Sequence, residues 1–497
     1  MTDVSNRPTT FGEQLRRRKP IAAQKGGHGG PELERSFGTF QLMLFGVGAT
    51  VGTGIFFVLQ EAVPDAGPAV VVAFLVAGVA AGLSAICYAE VASAIPVSGS
   101  TYSYAYHSMG EGVAMVVAAC VLLEYGVSSA AVSVGWSGYF NELLENLFGW
   151  HLPDALSYSP IPYEDNVTGL VNLPAVVLVL MCLLLLLRGA SESARVNTIM
   201  VLIKLGVLLL FTVIAFTAFE GDHFSSFWDS GAAGISAAAG TIFFSFIGLD
   251  AVSTAGEEVR DPQRALPRAI MGALVVVVAI YVLVAVSGVG AQPVAEFESE
   301  EQQSAGLSVI LENITGSGVP GTILAAGAVI SIFSVTLVTL YGQTRILFAM
   351  GRDGMLPKRF ASVNPLTLTP TFNTIVVAVV VALIGGFVPA DYLWDTVSIG
   401  TLIAFIVVAT AVLVLRRTQP DLERPFRVPG YPVTPVLTIV ACVYVLSGLA
   451  AVTWLIFAVW LAVVMSFYLL WGRRHAALER GVVADTEVPD QPTPGGH

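Results

Sequence analysis

Lys204 lies deep inside an apolar run, where a charge is expensive. The run reads RVNTIMVLIKLGVLLLFTVIAF, and Lys204 follows Arg195 by nine residues, which is about 13 Å along a helix. A buried ammonium loses its hydration, so such a lysine can release and rebind a proton near neutral pH. The alternative is that its stem extends to the nearest polar surface, but a lysine reaches only about 6 Å. Proton transfer is therefore the chemistry that this residue offers.

Glu124, in CVLLEYGVSS, is a second ionisable group inside an apolar run. A carboxyl at that depth faces either a cavity or a hydrogen-bonding partner on a neighbouring helix. If it is ionised, it favours a cationic ligand, and if it is protonated, it tolerates a neutral one. Both interpretations stay open.

Three further acids, Asp250, Glu257 and Glu258, stand at the C-terminal end of another apolar run. Acids at that end of a helix oppose its dipole, so we expect them to pair with basic residues. The candidate partners are Arg268, Arg345 and Arg352. The cluster is interpreted either as a gate or as a structural network.

Two apolar runs contain flexible residues in their middle. The first, LFGVGATVGTGIFF, has four glycines in nine residues, and the second, AAAGTIFFSFIGLDAVSTAGEE, contains Ser245 and Gly248. Each glycine costs about 1 kcal/mol relative to alanine in a helix interior, so both helices are predicted to break. In the first, the break should fall at Thr50–Gly54. The alternative for Gly48 and Gly52 is close helix packing through a GxxxG pattern.

The composition requires a lipid environment for most of the 497 residues. Hydrophobic residues make up 55% of the chain, charged residues only 12%, and the formal net charge is −12. A water-soluble domain has about a quarter of its residues charged. Because this chain has only half that share, a soluble enzyme and a disordered scaffold are excluded. Nucleic acid is excluded as a partner because its binding needs a basic face. The four cysteines have no metal-ligand spacing, and no cofactor or metal site is predicted.

Runs of about 20 apolar residues predict an all-α polytopic membrane protein with 12 transmembrane helices. The predicted spans are 37–59, 67–95, 112–141, 172–188, 196–219, 235–256, 269–289, 320–344, 372–388, 393–415, 434–451 and 455–472. All Lys and Arg residues except Lys204 then fall on one side of the membrane, so that side, with both termini, is predicted to be cytoplasmic. We expect residues 1–36 to be a disordered cytoplasmic tail and residues 473–497 to be a second cytoplasmic tail.

The two predicted breaks lie one in each half of the chain, in spans 1 and 6. A five-span repeat has an odd number of crossings, so its two copies insert with inverted topology. Interrupted helices at matching positions of two such halves point to the binding site of a transporter. The domain 37–472 thus comprises repeat one, 37–219, repeat two, 235–415, and two peripheral helices over 434–472.

Spans 1, 2, 6 and 8 with their loops carry four motifs. They are GATVGTGIF from Gly48, YAEVASAIPVSGSTYSYAY from Tyr88, FFSFIGLDAVSTAGEEVRDPQRALPRAI from Phe243 and RILFAMGRDGMLP from Arg345. Together they resemble the amino acid–polyamine–organocation transporter family, and the third is most similar to the cationic amino acid transporter branch and its bacterial relatives. The resemblance implies five plus five helices in inverted repeat, with helices 1 and 6 broken and two peripheral helices. It also implies alternating-access transport of amino acids, driven by protons or by exchange.

The resemblance further implies a substrate site at the two breaks. The N–H groups of Thr53 and Gly54, with the Thr53 hydroxyl, would bind the carboxylate of an amino acid, and the carbonyls of Thr50, Phe244 and Ile247 would bind its ammonium. The Phe244 ring would close over the substrate. The predicted substrate-binding residues are Thr50, Gly52, Thr53, Gly54, Glu124, Phe244, Ser245, Ile247 and Ser334. The predicted gate or network residues are Phe244, Asp250, Glu257 and Glu258.

Two functions stay open on these residues. The first is a proton-coupled amino acid symporter of the cell membrane, in which Lys204 couples the proton and Ser331 and Ser334 are its expected neighbours. The second is an exchanger or uniporter of cationic amino acids or polyamines, which Glu124 favours. The mammalian cationic members usually carry two further spans, so the chain looks more like bacterial relatives, whose substrates are often small neutral amino acids. The expected partners are the amino acid, protons and the lipid bilayer; a membrane enzyme is disfavoured because no nucleophile with a positioned base is visible.

Overall fold

The computed structural model describes residues 11–21, 33, 35–161, 168–298, 306–389, 391–447, 449 and 451–477. Within these residues the regular structure is helical, apart from a single β-bridge between Phe37 and Val259. The first nine α-helices are α1 Phe11–Leu15, α2 Thr39–Thr50, α3 Thr53–Ala66, α4 Val70–Ala94, α5 Ser100–Ser108, α6 Glu111–Phe148, α7 Asp154–Ser157, α8 Leu173–Arg188 and α9 Ala190–Thr217. The others are α10 Gly231–Phe243, α11 Pro262–Ala291, α12 Leu307–Thr315, α13 Gly318–Arg352, α14 Thr371–Phe387, α15 Asp391–Thr418, α16 Val433–Ser447, α17 Ala451–Phe467 and α18 Arg473–His475.

Eight helical segments of the described chain are long and apolar enough to cross a membrane. They are Gly54–Ala94, Glu111–Phe148, Ala190–Thr217, Gly231–Glu258, Pro262–Ala291, Gly318–Arg352, Thr396–Thr418 and Ala451–His475. Four shorter apolar helices, α2, α8, α14 and α16, accompany them. The fold is therefore that of an all-helical polytopic membrane protein, whereas the count of twelve spans stays a prediction.

Large apolar side chains cover the outside of the helical assembly. Leu184, Val213, Val275 and Leu455, on four different helices, are each more than half exposed. Helices satisfy their backbone hydrogen bonds internally, which is the condition for lying in hydrocarbon. An outer surface of this kind suits lipid rather than water.

Residues 11–21 fall inside the segment predicted to be a disordered tail, yet they pack against α5 and α6. The Arg17 guanidinium lies 2.7 Å from the Glu111 carboxylate, and the Lys19 ammonium lies 2.6 Å from that of Asp353. Glu111 and Asp353 are both buried. The prediction of disorder is wrong for residues 11–21, because local composition does not reveal carboxylates that lie far along the chain. Most other residues of the two predicted tails lie outside the described part of the chain.

Span 1 is interrupted where its glycines predict an interruption. The helix α2 ends at Thr50, Val51 is extended, Gly52 has φ −129° and ψ −145°, and α3 starts at Thr53. A β-carbon on Gly52 would lie 2.8 Å from Cγ2 of Val335 on α13, so a larger residue would push the two helices apart. The backbone therefore bends at a point that is tightly packed.

Span 6 is interrupted in a similar way. The helix α10 ends at Phe243, a 3₁₀ turn covers Phe244–Phe246, Ile247 is extended, and 3₁₀ turns continue over Leu249–Glu258. Between them Gly248 has φ +111°, a conformation that favours glycine. A β-carbon on Gly248 would also lie 2.7 Å from the carbonyl oxygen of Ala49. The two interruptions therefore face each other directly.

Candidate functional site

A cavity lies between the two interruptions and is completed by α6, α13 and α15. Its volume is about 50 Å³, measured as the space that the centres of water molecules can occupy. This is room for a few water molecules. The lining residues are Ala49, Thr50, Gly52, Gly54, Glu124, Tyr125, Ser128, Val132, Phe244, Ser245, Ile247, Gly248, Asp250, Ala251, Val335, Thr339 and Val397. The wall is thus largely apolar, with two carboxyl groups and several hydroxyls.

Most of the predicted substrate-binding residues meet at this cavity, although they come from distant parts of the chain. Those that line it are Thr50, Gly52, Gly54, Glu124, Phe244, Ser245 and Ile247. Ser334 does not line it, because its hydroxyl donates to Oδ1 of Asn197 on α9 at 2.8 Å. The side chain of Thr53 lies outside the described residues, and its backbone forms the first residue of α3.

The start of α3 brings backbone N–H groups to the cavity. The first turn of any helix has N–H groups without an intrahelical acceptor, and they carry the positive end of the helix dipole. A β-carbon on Gly54, in this turn, would lie 2.5 Å from the Ser245 hydroxyl oxygen. That hydroxyl is buried and has no hydrogen-bond partner among the described residues. The narrow gap between Gly54 and Ser245 is therefore a place where a polar ligand group would gain hydrogen bonds.

Two of the carbonyls predicted to bind an ammonium already accept a hydrogen bond. The Thr50 carbonyl accepts one from the hydroxyl of Tyr281 at 3.2 Å, and the Phe244 carbonyl accepts one from the Ile247 N–H at 3.1 Å. A carbonyl oxygen has two lone pairs, so one hydrogen bond does not by itself prevent the Thr50 carbonyl from accepting a second. Tyr281, on α11, was not among the predicted residues, because nothing in its local sequence indicates which helix end its hydroxyl reaches.

Lys204 is fully buried, and its ammonium points at the bend of span 1. Its Nζ donates to the carbonyl oxygens of Gly48 at 2.9 Å and Val51 at 2.6 Å. The hydroxyl of Ser331, an expected neighbour, donates to the same Val51 oxygen at 3.0 Å. The alternative that the lysine side chain extends to the polar surface is therefore wrong, because its ammonium is hydrogen-bonded inside the protein.

Glu124, on α6, is one of the two carboxyl groups in the cavity wall. The residue is buried, and its Oε2 has no hydrogen-bond partner among the described residues. The helix α15 packs closely behind it, since a β-carbon on Gly400 would lie 3.4 Å from that of Glu124. With α15 behind it, Glu124 keeps at least one oxygen for a ligand or a water molecule.

Asp250 is the other carboxyl group, and its predicted pairing with an arginine is wrong. Its Oδ2 accepts a hydrogen bond from the Tyr125 hydroxyl at 2.6 Å, and both residues line the cavity. The reason is the turn at Gly248, which starts a new helical segment and places Asp250 at the beginning of that segment rather than at the end of a continuous helix. Its closeness to Gly248 in sequence was a signal that could have placed it at the break.

The other two acids of span 6 form the predicted ion pairs. Glu257 lies 2.6 Å from Arg352 in a partly exposed pair, and Glu258 lies 2.8 Å from Arg345 in a fully buried one. Arg268 is exposed and is not part of either pair. These bridges tie the end of span 6 to α13.

The cavity wall presents groups that are complementary to both charges of a zwitterion. The N-terminal end of α3 is suited to an anion, and carbonyl oxygens with two carboxyl groups are suited to a cation. Apolar side chains, among them Val132, Val335 and Val397, cover the remaining wall. These side chains come from α6, α13 and α15, and their contribution was missed because sequence spacing does not give the rotation of each helix about its axis.

Comparisons with known proteins identify the family to which the chain is similar. The family model described as amino acid permease matches residues 37–471. The chain is 42% identical over 452 residues to a branched-chain amino acid permease, BcaP, of Bacillus subtilis (strain 168), covering 91% of this chain and 96% of the relative. It is 39% identical over 468 residues to a methylthioribose transporter of the same organism, covering 94% and 99%. It is also 36% identical over 421 residues to the vacuolar cationic amino acid transporter 2 of Arabidopsis thaliana, covering 83% and 64%.

These relatives are transporters and permeases, not enzymes. The chain is likewise a transport protein and not an enzyme. The predicted resemblance to the amino acid–polyamine–organocation transporters is confirmed by the same matches. With the family model covering nearly the whole helical region, the chain belongs to the amino acid permease family.

Proposed function

We propose that this protein is a secondary active transporter that carries amino acids by alternating access, together with protons. The observation that carries the proposal is the position of Lys204 at the same bend of span 1 that lines the cavity. The bend residues Gly48 and Val51 face the lysine ammonium, and their neighbours Thr50 and Gly52 face the cavity. The same bend of the backbone thus contacts the lysine ammonium and lines the cavity.

Proton binding at Lys204 has a physical route to the substrate. A charged ammonium makes stronger hydrogen bonds to carbonyl oxygens than a neutral amine does. Loss of the proton therefore loosens the bonds to Gly48 and Val51 and releases the end of α2. Since Thr50 and Gly52 belong to that bend, the cavity changes shape when the lysine changes its charge. Such a link makes substrate affinity and proton affinity depend on each other.

The substrate we propose is a small or medium-sized apolar amino acid. The side-chain part of the cavity is lined by Val132, Val335 and Val397, which suit an aliphatic side chain. Similarity to a branched-chain amino acid permease supports the same class. Glu124 then acts in its protonated form.

The alternative is transport of cationic amino acids or polyamines by exchange or uniport. Neither Glu124 nor Asp250 pairs with a basic side chain in the described part of the chain. If both were ionised, they would attract a cationic side chain into the cavity. Similarity to plant cationic amino acid transporters supports this second candidate.

The arrangement in the membrane is part of the proposal. We propose twelve spans, with repeat one over 37–219, repeat two over 235–415 in inverted topology, and peripheral helices over 434–472. Basic residues then collect on one side, which would be cytoplasmic and would carry both termini. The membrane would be the plasma membrane.

Uptake into proteoliposomes tests the proposal. Radiolabelled L-leucine, L-alanine and L-arginine are offered with and without an acid-outside gradient. The wild type should accumulate leucine or alanine only with the gradient, and Lys204→Gln should lose this accumulation. Lys358→Gln is the matched control, because Lys358 is exposed. Gradient-independent uptake that Lys204→Gln leaves unchanged would refute proton coupling, and uptake of arginine alone would favour the alternative.

A further inference from the structure

Tyr281 lies behind the cavity and touches both interrupted helices. Its hydroxyl is 3.2 Å from the carbonyl oxygen of Thr50 in span 1 and 2.9 Å from that of Ser245 in span 6. Thr50 and Ser245 both line the cavity, whereas Tyr281 does not. A side chain outside the binding surface thus connects the two segments that form it.

The ring of Tyr281 is held in place by its neighbours. The residue is fully buried on α11, and its ring makes edge-to-face contacts with Phe74 on α4 and Phe246 in span 6, at centroid distances of 6.1 and 5.1 Å. Edge-to-face pairs of this kind fix the orientation of both rings. The hydroxyl therefore stands at a defined point between the two carbonyls and does not move freely.

The hydroxyl has a physical task at that point. Each of the two carbonyls lies at a helix interruption, where the usual intrahelical donor is lost, and a buried carbonyl without a donor is costly. Two carbonyl oxygens that approach each other without a donor between them also repel. A phenolic O–H between them has a single proton, which a three-centre hydrogen bond shares between the two oxygens, so that both are held at the same point.

The surrounding packing leaves little freedom for the two segments to compensate. A β-carbon on Gly54 would meet the Ser245 hydroxyl at 2.5 Å, and one on Gly248 would meet the Ala49 carbonyl at 2.7 Å. The two segments therefore approach each other closely enough that only glycine fits at these positions, and such close packing transmits small displacements from one segment to the other. A change in the distance between Thr50 and Ser245 therefore changes the cavity itself.

We propose that Tyr281 is a positioning residue for substrate binding: its hydroxyl ties the Thr50 and Ser245 carbonyls together and so sets the spacing of the subsite for the substrate ammonium. This inference rests on the proposed function, in which the cavity binds an amino acid. Tyr281 does not contact the substrate. It acts on affinity through the two backbone segments that do.

The test is the variant Tyr281→Phe, which keeps the ring and removes the hydroxyl. Tyr139→Phe is the matched control, because Tyr139 is also buried and its hydroxyl has no hydrogen-bond partner among the described residues. Uptake of L-leucine, L-alanine and L-arginine is measured in proteoliposomes for KM and maximal rate. The melting temperature of each purified variant is measured without substrate and with each of the three amino acids.

The loss of one hydrogen bond that organises the site should raise KM roughly three- to tenfold for the amino acid that the wild type transports best. The stabilisation of the melting temperature by that amino acid should shrink in parallel, and Tyr139→Phe should match the wild type in both. An unchanged KM with a lower melting temperature would overturn the inference, because the hydroxyl would then be structural only. A lower KM would also overturn it, because the hydroxyl would then compete with the ammonium. If the wild type neither binds nor transports any of the three, the proposed function fails, and this inference fails with it.

Discussion

Replacing Glu258 by alanine should destabilise the protein far more than the same change at its neighbour Glu257. Glu258 and Arg345 pair at 2.8 Å with side chains 0% and 1% exposed. Glu257 and Arg352 pair at 2.6 Å with side chains 22% and 24% exposed. The two acids are adjacent in sequence and both reach α13, so they differ chiefly in their access to solvent.

The expected magnitudes follow from that difference. Removing one partner of a buried pair leaves an uncompensated charge, which costs about 3–5 kcal/mol. The Arg345 guanidinium would retain its cation–π contact with the Tyr341 ring, at 3.6 Å, and its hydrogen bond to the Thr344 hydroxyl at 2.9 Å, but it would lose its carboxylate partner. An ion pair with access to water contributes about 1 kcal/mol or less. Glu258→Ala should therefore lose several times more stability than Glu257→Ala.

The free energy of unfolding can be measured by SDS titration of each purified variant, followed by tryptophan fluorescence. Initial uptake rates in proteoliposomes are recorded beside it. Equal losses of stability in the two variants would contradict the argument from burial. If Glu258→Ala kept its stability but lost transport, the pair would be a gate and not a structural bridge, which decides between the two interpretations of this cluster.

Three further changes have defined outcomes. Gly248→Ala should lose at least about 1–2 kcal/mol of stability and most of the transport rate, because φ is positive there, whereas Gly138→Ala, on an open helix surface, should lose neither. Burial, with the Lys19 charge nearby, lowers the pKa of His107 to about 4. The unfolded chain binds that proton near pH 6.5, so stability should fall by up to about 3 kcal/mol as the pH drops from 6.5 to 4, and in His107→Gln this part of the acid-induced loss should be missing. Asp353→Asn removes the carboxylate that holds Lys19, so trypsin should cut the basic run at residues 16–19 faster in this variant than in the wild type.

The features predicted correctly from the sequence are those that a short stretch of residues determines. Four glycines in nine residues of span 1 are too costly for a continuous helix, and the structure bends there. The depth of Lys204 exceeds the reach of its own stem, and the residue is buried. Acids at the C-terminal end of a helix oppose its dipole, which indicated arginine partners at the end of span 6. Glu257 and Glu258 have such partners.

The features that were missed depend on how distant elements pack. Asp250 turns toward Tyr125 because Gly248 reorients the backbone, which a helical pattern over the whole span does not describe. Arg17 reaches Glu111, 94 residues further on, and this converts part of a polar tail into a docked segment. Tyr281 reaches two helix ends at once. In each case the local sequence is compatible with many orientations, and only the packed neighbours select one.

The end of α2 explains why these contacts belong together. A helix leaves its last carbonyls without intrahelical donors, and a cap or a ligand normally supplies them. Here the donors come from other helices. Lys204 donates to the carbonyls of Gly48 and of Val51, which directly follows α2, and Tyr281 donates to the carbonyl of Thr50. A helix end that is held by tertiary donors keeps its position only while those donors keep their protons and places. In the proposed mechanism Lys204 loses its proton, so the position of the bend would depend on protonation. The cavity that the bend lines would then depend on protonation as well.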